Sequence, residues 1–360
     1  MAAVPRKSVT LKMVAEKANC SVSAVSTVLN NARGNSVVSS VTRKRIFSIA
    51  KELGYYPNFA SQCLKTQRSR TIGIYVQPKK WSSLCNAYEV QIFRGIESMA
   101  RERNYNVMLL NMSTGVLPDS CREQLLEKRV DGIVLIHTDC EVAETLAAEH
   151  PCVVAVDCAH GSRKINSVRF DDAAALRLAV DYLVEKGHTR IGYAGACTPE
   201  KQNSAPRERY FMEALLQNKL NVVEELIFNE SKCIPPICYT ERFCQEEGRR
   251  ALHYFQTLSK PPTAVIAYNS LVAGSLLTEA VRCGLNIPDD LSIIGIDDYE
   301  YLDFLTPRLT VVDHVLEDMG RGGVSLLIDQ IEQRNESVRS LLLQPKLKPG
   351  ESVSVYLKSK

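Results

Sequence analysis

The side chains with the clearest chemical potential are placed to bind rather than to react. Near the N-terminus, Ser21, Ser23, Ser26 and Thr27 put small hydroxyl groups within seven consecutive residues, among the cations Lys12, Lys17, Arg43, Lys44 and Arg45. Small hydroxyls let a backbone approach base edges and phosphates closely, and Lys or Arg around them neutralise phosphate and release counterions. Further along, an amide and a carboxylate, Asn269 and Asp297, each follow an apolar run, and a guanidinium, Arg207, opens the stretch RERYFMEAL over 207–215. Donors and acceptors of that kind suit hydroxyl-rich or heterocyclic ligands. No G-x-S-x-G, P-loop, H-E-x-x-H or G-x-G-x-x-G occurs, so no enzymatic activity is expected.

Elements must hold these groups. Thr10 suits an N-cap, and Leu11, Val14, Ala15 and Ala18 share one helical face behind it. Asn19-Cys20 breaks that helix. Ser21 can cap a second one, with Val25, Val28 and Leu29 turned inward, and the pair forms a helix-turn-helix pattern. A third helix follows Ser39, buries Ile46, Ile49, Ala50 and Leu53, and ends at Gly54. Residues 1–72 hold twelve Lys or Arg and two acids, a charge of +10, so the remainder carries −7 of the net +3. A basic head before a mildly acidic body is the electrostatic footprint of nucleic-acid binding.

From Thr71 onward short β-branched runs alternate with amphipathic helices. Strands are expected at 72–76, 107–110, 132–136, 153–156, 190–194, 264–267 and 292–296, and a helix over 91–103. Short buried strands between helices imply parallel sheets covered on both faces. The stretch from Thr71 to Lys360 is long for one sheet, so two α/β lobes are expected. The twelve cysteines are scattered and include no C-x2-C pair, which favours buried thiols in a reducing compartment over a metal site. No apolar run is long enough to span a membrane, and the N-terminal residues do not read as a secretory signal.

Two head segments, VTLKMVAEKANCSVSAVSTVLN (Val9–Asn30) and AKELGYYPN (Ala50–Asn58), resemble the headpiece of the LacI/GalR family of regulators. VDGIVL (Val130–Leu135), GHTRIGYAG (Gly187–Gly195), IGIDDY (Ile294–Tyr299) and LTPRLT (Leu305–Thr310) resemble landmarks of its body, so the likeness runs from about residue 9 to residue 352. It implies an all-α helix-turn-helix headpiece over 1–57, a hinge helix and linker over 58–70, and an α/β effector-binding body over 71–360. That body would be two periplasmic-binding-protein-like lobes with mainly parallel sheets, 71–168 plus 312–334 and 169–311 plus 335–360, with the ligand in the cleft at the strand ends.

The resemblance also implies roles. Val22, Ser23 and Thr27 fall at major-groove reading positions; Thr10, Ser21, Ser26, Asn30 and Thr42 fall at phosphate-contacting positions. Leu64 falls where a hinge leucine wedges into the minor groove and kinks the duplex. Arg207, Asp297, Asn269, Phe243, Asp157, Phe170, Tyr88 and His314 fall at cleft positions. Each has an ordinary alternative: Arg207 could pair with Glu208 or Glu213, Asp297 could merely cap a helix, and Phe170 and Phe243 could be core. His188 reads as structural. Three departures stand out: Thr27 where the family commonly has Arg, Ala24 where it commonly has Thr, and a longer loop, NARGNSV, over 31–37. The expected partners are a double-stranded operator, a sugar-like or nucleobase effector and a second copy of the chain. No cofactor, metal or membrane partner is expected, the location is cytoplasmic, and no leucine heptad appears after Pro349 to form a tetramerising coil. A sugar-binding transport component on the same body fold is disfavoured by the basic head.

Overall fold

A computed structural model describes residues 9–29, 38–56, 63, 66–76, 86–110, 123, 125–138, 140–150, 152–158, 164–195, 204–229, 241–333 and 337–357. They form two units, residues 1–69 and 70–360.

The head holds three helices: α1 (Leu11–Lys17), α2 (Val22–Leu29) and α3 (Ser40–Leu53). The Thr10 hydroxyl accepts from the Met13 amide at 3.4 Å, and the Ser39 hydroxyl from the Thr42 amide at 3.2 Å, so each helix starts on a side-chain cap. The Ser21 hydroxyl likewise accepts from the Ala24 amide at 3.1 Å. Gly54, at φ +70°, closes α3 in the left-handed region where a Cβ is penalised. Val14, Ala15, Ala18, Val25, Val28, Ile46 and Ala50 are buried at the centre. Ile49 and Leu53, expected inside, pack on its margin.

The body is built on two six-stranded sheets. The first runs β11-β5-β4-β3-β1-β2, with β1 (Thr71–Val76), β2 (Asn106–Leu109), β3 (Gly132–Ile136), β4 (Val153–Val156), β5 (Asn166–Phe170) and β11 (Ser340–Leu343), all parallel. The second runs β12-β10-β9-β8-β6-β7, with β6 (Ile191–Ala194), β7 (Ile227–Phe228), β8 (Ala264–Ala267), β9 (Ser292–Ile296), β10 (Thr310–Asp313) and β12 (Lys346–Lys348). Among the described strands, only β10 and β12 pair antiparallel. Every residue of β1, β3, β4, β8 and β9 is buried, as a parallel strand covered on both faces requires.

The chain changes sheet three times, after β5, after β10 and between β11 and β12, so each lobe is discontinuous. Three expected boundaries differ. The first lobe, expected to end at residue 168, keeps β5 through Phe170. Residues 335–360 were assigned wholly to the second lobe, but Ser340–Leu343 pairs with β5 in the first sheet. Residues 312–313, assigned to the first lobe, end β10 of the second sheet. Strand partner is set by register across long separations, and no local pattern carries that information.

Two helices fix the first lobe's outer face. α4 (Ala87–Glu102) and α10 (Leu316–Ile331) cross at Gly95 and Gly320, where any Cβ would collide with the backbone carbonyl of Glu317 or Ile92. The remaining helices used below are α5 (Cys140–Glu149), α6 (Asp172–Glu185), α7 (Ser204–Gln217), α8 (Glu241–Thr257) and α9 (Ser270–Arg282). No described helix is long and apolar enough to cross a membrane.

Candidate functional site

In the head, Ser21, Val22 and Ser23 stand exposed at the start of α2, with Val22 at 45% exposure although it is apolar. Ser26 and Thr27, one turn on, are half-buried. Thr10 is exposed and Thr42 half-buried, each beside the N-terminus of its own helix. A short helix that leaves a valine in water and turns hydroxyls outward suits contact with another surface. Asn30 and Leu64 lie outside the described residues.

In the body, polar residues follow directly on buried strands. His137 follows β3, Asp157 follows β4, Asp297 follows β9 and His314 follows β10. His137, Asp157 and Asp297 have φ of +54°, +55° and +81°, a left-handed turn that sends each side chain off the sheet end. Tyr88 arrives from the first turn of α4 and Arg207 from the first turn of α7.

These groups form one connected network across the lobes. The Tyr88 hydroxyl donates to Asp157 Oδ2 at 2.8 Å and lies 3.4 Å from His314 Nε2. His137 Nε2 sits 2.6 Å from the same Asp157 oxygen, and its Nδ1 lies 3.4 Å from buried Glu89. His314 Nδ1 is 2.9 Å from Asp297 Oδ1, while Tyr299 donates to Asp297 Oδ2 at 3.1 Å. Phe170, at the end of β5, stacks on the His314 ring at 3.8 Å. Arg207 donates through Nε to Asp172 at 2.6 Å and through Nη1 to the Tyr268 carbonyl at 2.9 Å, and its plane lies 4.8 Å above the Tyr268 ring. Arg207 Nη2 is also 3.2 Å from His314 Nδ1. That nitrogen can accept from Arg207 or donate to Asp297, not both, so the His314 tautomer decides which neighbour it serves.

The electrostatics follow from burial against charge. Burial works against a charged His137, but the attraction of Asp157 and hydrogen bonds to Asp157 and Glu89 outweigh it and push the imidazole up to about 9. In return His137 holds the Asp157 carboxyl far below the usual carboxylate range, against its burial. Burial raises the Tyr88 hydroxyl, and the nearby carboxylates raise it further, so it remains a donor. Arg207, though buried, is held charged by Asp172.

The structure therefore brings together Tyr88, Asp157, Phe170, Arg207, Asp297 and His314. Arg207 does not pair with Glu208 or Glu213: Glu213 pairs with Arg209 at 3.3 Å and Glu208 accepts from Asn229. Asn269 is at the same strand ends, but its Oδ1 caps α9 by accepting from the Val272 amide at 2.9 Å. Phe243 starts within α8, and its side chain lies outside the described residues. His188 is structural, set between the Thr263 hydroxyl and the Ser354 carbonyl. Sequence reasoning missed His137, Glu89, Asp172, Tyr268 and Tyr299. His137 carried the same signal as Asp157 and Asp297, a polar residue immediately after an apolar strand. Tyr268 carried it too, directly after β8, while Glu89, Asp172 and Tyr299 had none.

Comparison with known proteins agrees with this architecture. The family described as "Bacterial regulatory proteins, lacI family" matches residues 10–58, and "Periplasmic binding protein-like domain" matches residues 180–353. The chain is 29% identical over 343 residues to the HTH-type transcriptional repressor CytR of Escherichia coli (strain K12), covering 94% of each. It is 28% identical over 352 residues to the HTH-type transcriptional repressor PurR of Salmonella newport (strain SL254), covering 96% of this chain and 97% of that protein. Among solved structures it superposes on a lac repressor dimer bound to operator and the anti-inducer ONPF with a TM-score of 0.75, at 25% identity over 97% of this chain and all of that one. With a helix-turn-helix head, a two-lobed parallel α/β body and relatives matched along nearly their whole length, the chain belongs to the LacI family of bacterial transcription regulators.

Proposed function

We propose that a small polar effector, a sugar, sugar derivative or nucleobase, binds among Tyr88, Asp157, Phe170, Arg207, Asp297 and His314 and sets the affinity of the head for an operator. The observation that carries this reading is the cross-lobe network itself: the Tyr88 hydroxyl, which donates to Asp157 in the first lobe, lies 3.4 Å from His314 Nε2 of the second, and His314 in turn reaches Asp297 and Arg207. A ligand that replaces those mutual contacts interacts differently with open and closed lobes, and such a difference shifts a two-state equilibrium. Asn269 and Phe243 are further members of the proposed site.

The regulator acts in the cytoplasm as a homodimer on a pseudo-palindromic operator, most simply as a repressor. Val22, Ser23 and Thr27 contact bases, and Thr10, Ser21, Ser26, Asn30 and Thr42 contact phosphates. Leu64 of each hinge enters the minor groove and kinks the duplex. Thr27 cannot grip guanine bidentately as Arg would, so more of the specificity falls on the kink and on duplex deformability.

A gel-shift series of the full chain against genomic fragments, with and without a panel of sugars, sugar acids and nucleobases, tests the reading. One preferred fragment whose affinity shifts with one ligand class is expected. Uniform affinity for all fragments under every condition overturns it.

A further inference from the structure

We propose that His253, Glu279 and Cys283 form a divalent-metal site on the outer face of the second lobe, suited to zinc. Among the described residues they make a group of three ligand-type side chains whose donor atoms all lie within 4.8 Å of one another.

The register of two helices creates the site. α8 and α9 run side by side in the same direction. Near their starts, Asn269 Nδ2 lies 3.7 Å from Cys244 Sγ. One turn further, Gly248 lets the helices close up, since a Cβ there would stand 2.7 Å from the Leu276 nitrogen. Toward their ends, His253 Nε2 reaches Glu279 Oε1 at 3.0 Å. Glu279 and Cys283 are four residues apart, hence on one helical face, and Cys283 is the near-helical C-cap of α9. The three ligands are therefore fixed by the helix pair and not by a loose surface loop.

The chemistry matches one class of ion. A thiolate, an imidazole and a carboxylate form a borderline-soft donor set that favours zinc over magnesium or calcium. Zinc bonds of about 2.3 Å to sulfur and 2.0–2.2 Å to nitrogen and oxygen place the donor atoms around one ion roughly 3.3–3.7 Å apart. The present separations are met by rotamer adjustments of about 1 Å. Cys283 is exposed and the His253 side chain is 49% exposed, so an ion can enter from solvent, and a fourth position stays open to water. Arg282 lies 3.7 Å from Glu279 Oε2, but its side chain is 75% exposed and can turn outward. A bound ion would brace α8 and α9, whose first turns carry Cys244 and the N-cap Asn269 beside the cleft.

Cobalt(II) titration of the full, reduced chain tests the site. A near-ultraviolet thiolate-to-cobalt band and tetrahedral visible bands should saturate at one equivalent and disappear on adding zinc. Cys283→Ser should abolish the thiolate band, and His253→Ala and Glu279→Gln should each weaken binding by roughly tenfold or more. Circular dichroism on each variant checks that the fold is kept, as the exposed positions of Cys283 and His253 and the isosteric Glu279 change predict. A Cys283→Ser protein with an unchanged thiolate band overturns the proposal by pointing to another cysteine. So does a wild-type chain that takes up no cobalt at millimolar concentration.

Discussion

Asp297 follows a fully buried strand, yet its two oxygens face different partners, His314 and Tyr299. A carboxylate serving only as a helix cap would not hold both. In this family member the Asp297→Ala protein should lose its ligand response, read as the ligand-induced change in operator affinity, while binding the operator as before; an intact response removes Asp297 from the site. His137 allows a second test at the same scale. Its folded-state pKa, about 9, lies above the ordinary imidazole value of about 6.5. The charged form is therefore favoured by folding, and the stability it contributes is present below about pH 6.5 and is lost as the pH rises through about 9. The thermal midpoint of the wild type should exceed that of His137→Gln by about 2–4 °C at pH 6, and the gap should close by pH 10. A gap independent of pH would rule out the charged His137–Asp157 pair.

At the scale of elements, close backbone approach decides more than side-chain identity. α4 and α10 meet at Gly95 and Gly320 with no room for a methyl group. Gly320→Ala should cost about 1–3 kcal/mol in urea unfolding, because neither helix can retreat without opening the first lobe's core. Gly54 is a contrast: nothing lies within 4 Å of a Cβ built there, but its φ is +70°. Gly54→Ala should cost about 1 kcal/mol from backbone strain alone. Equal costs from collision and from strain would mean that the helix crossing relaxes easily. The three head helices were legible in the sequence because their start and stop signals are local: Thr10, Ser21, Ser39 and Gly54 each act within one turn of themselves. The positions of β1, β3, β4, β6, β8 and β9 were legible for a related reason, since a run buried on both faces looks apolar throughout, whereas β5, β7, β10, β11 and β12 were not marked in the sequence.

For the whole molecule, effector and operator binding are linked, so a ligand that weakens operator affinity by some factor is itself bound more weakly by that factor on the operator complex. Leu64→Ala should weaken binding to the preferred fragment far more than binding to random duplex, and measurement by anisotropy at matched salt separates the two; equal losses on both would refute the minor-groove wedge. The basic head, with +10 over residues 1–72, should also give random-duplex affinity a steep, linear dependence on log salt.

The sequence by itself determined the kind of protein. The capped helices, the charge step between head and body and the apolar strands all depend on neighbours in the chain, and a resemblance spanning most of its length gave them a family. It also marked Arg207, Asp297, Asp157 and Tyr88. What it could not determine was who faces whom. Arg207 finds Asp172 and not the adjacent Glu208, because the starts of two helices from distant segments, α6 and α7, meet at the cleft. Ser340–Leu343 joins the first sheet, not the second. His253 comes within 3.0 Å of Glu279 across 26 residues of chain. Those pairings depend on sheet order and helix register, which are set by packing over the whole body, and only the tertiary structure decides them.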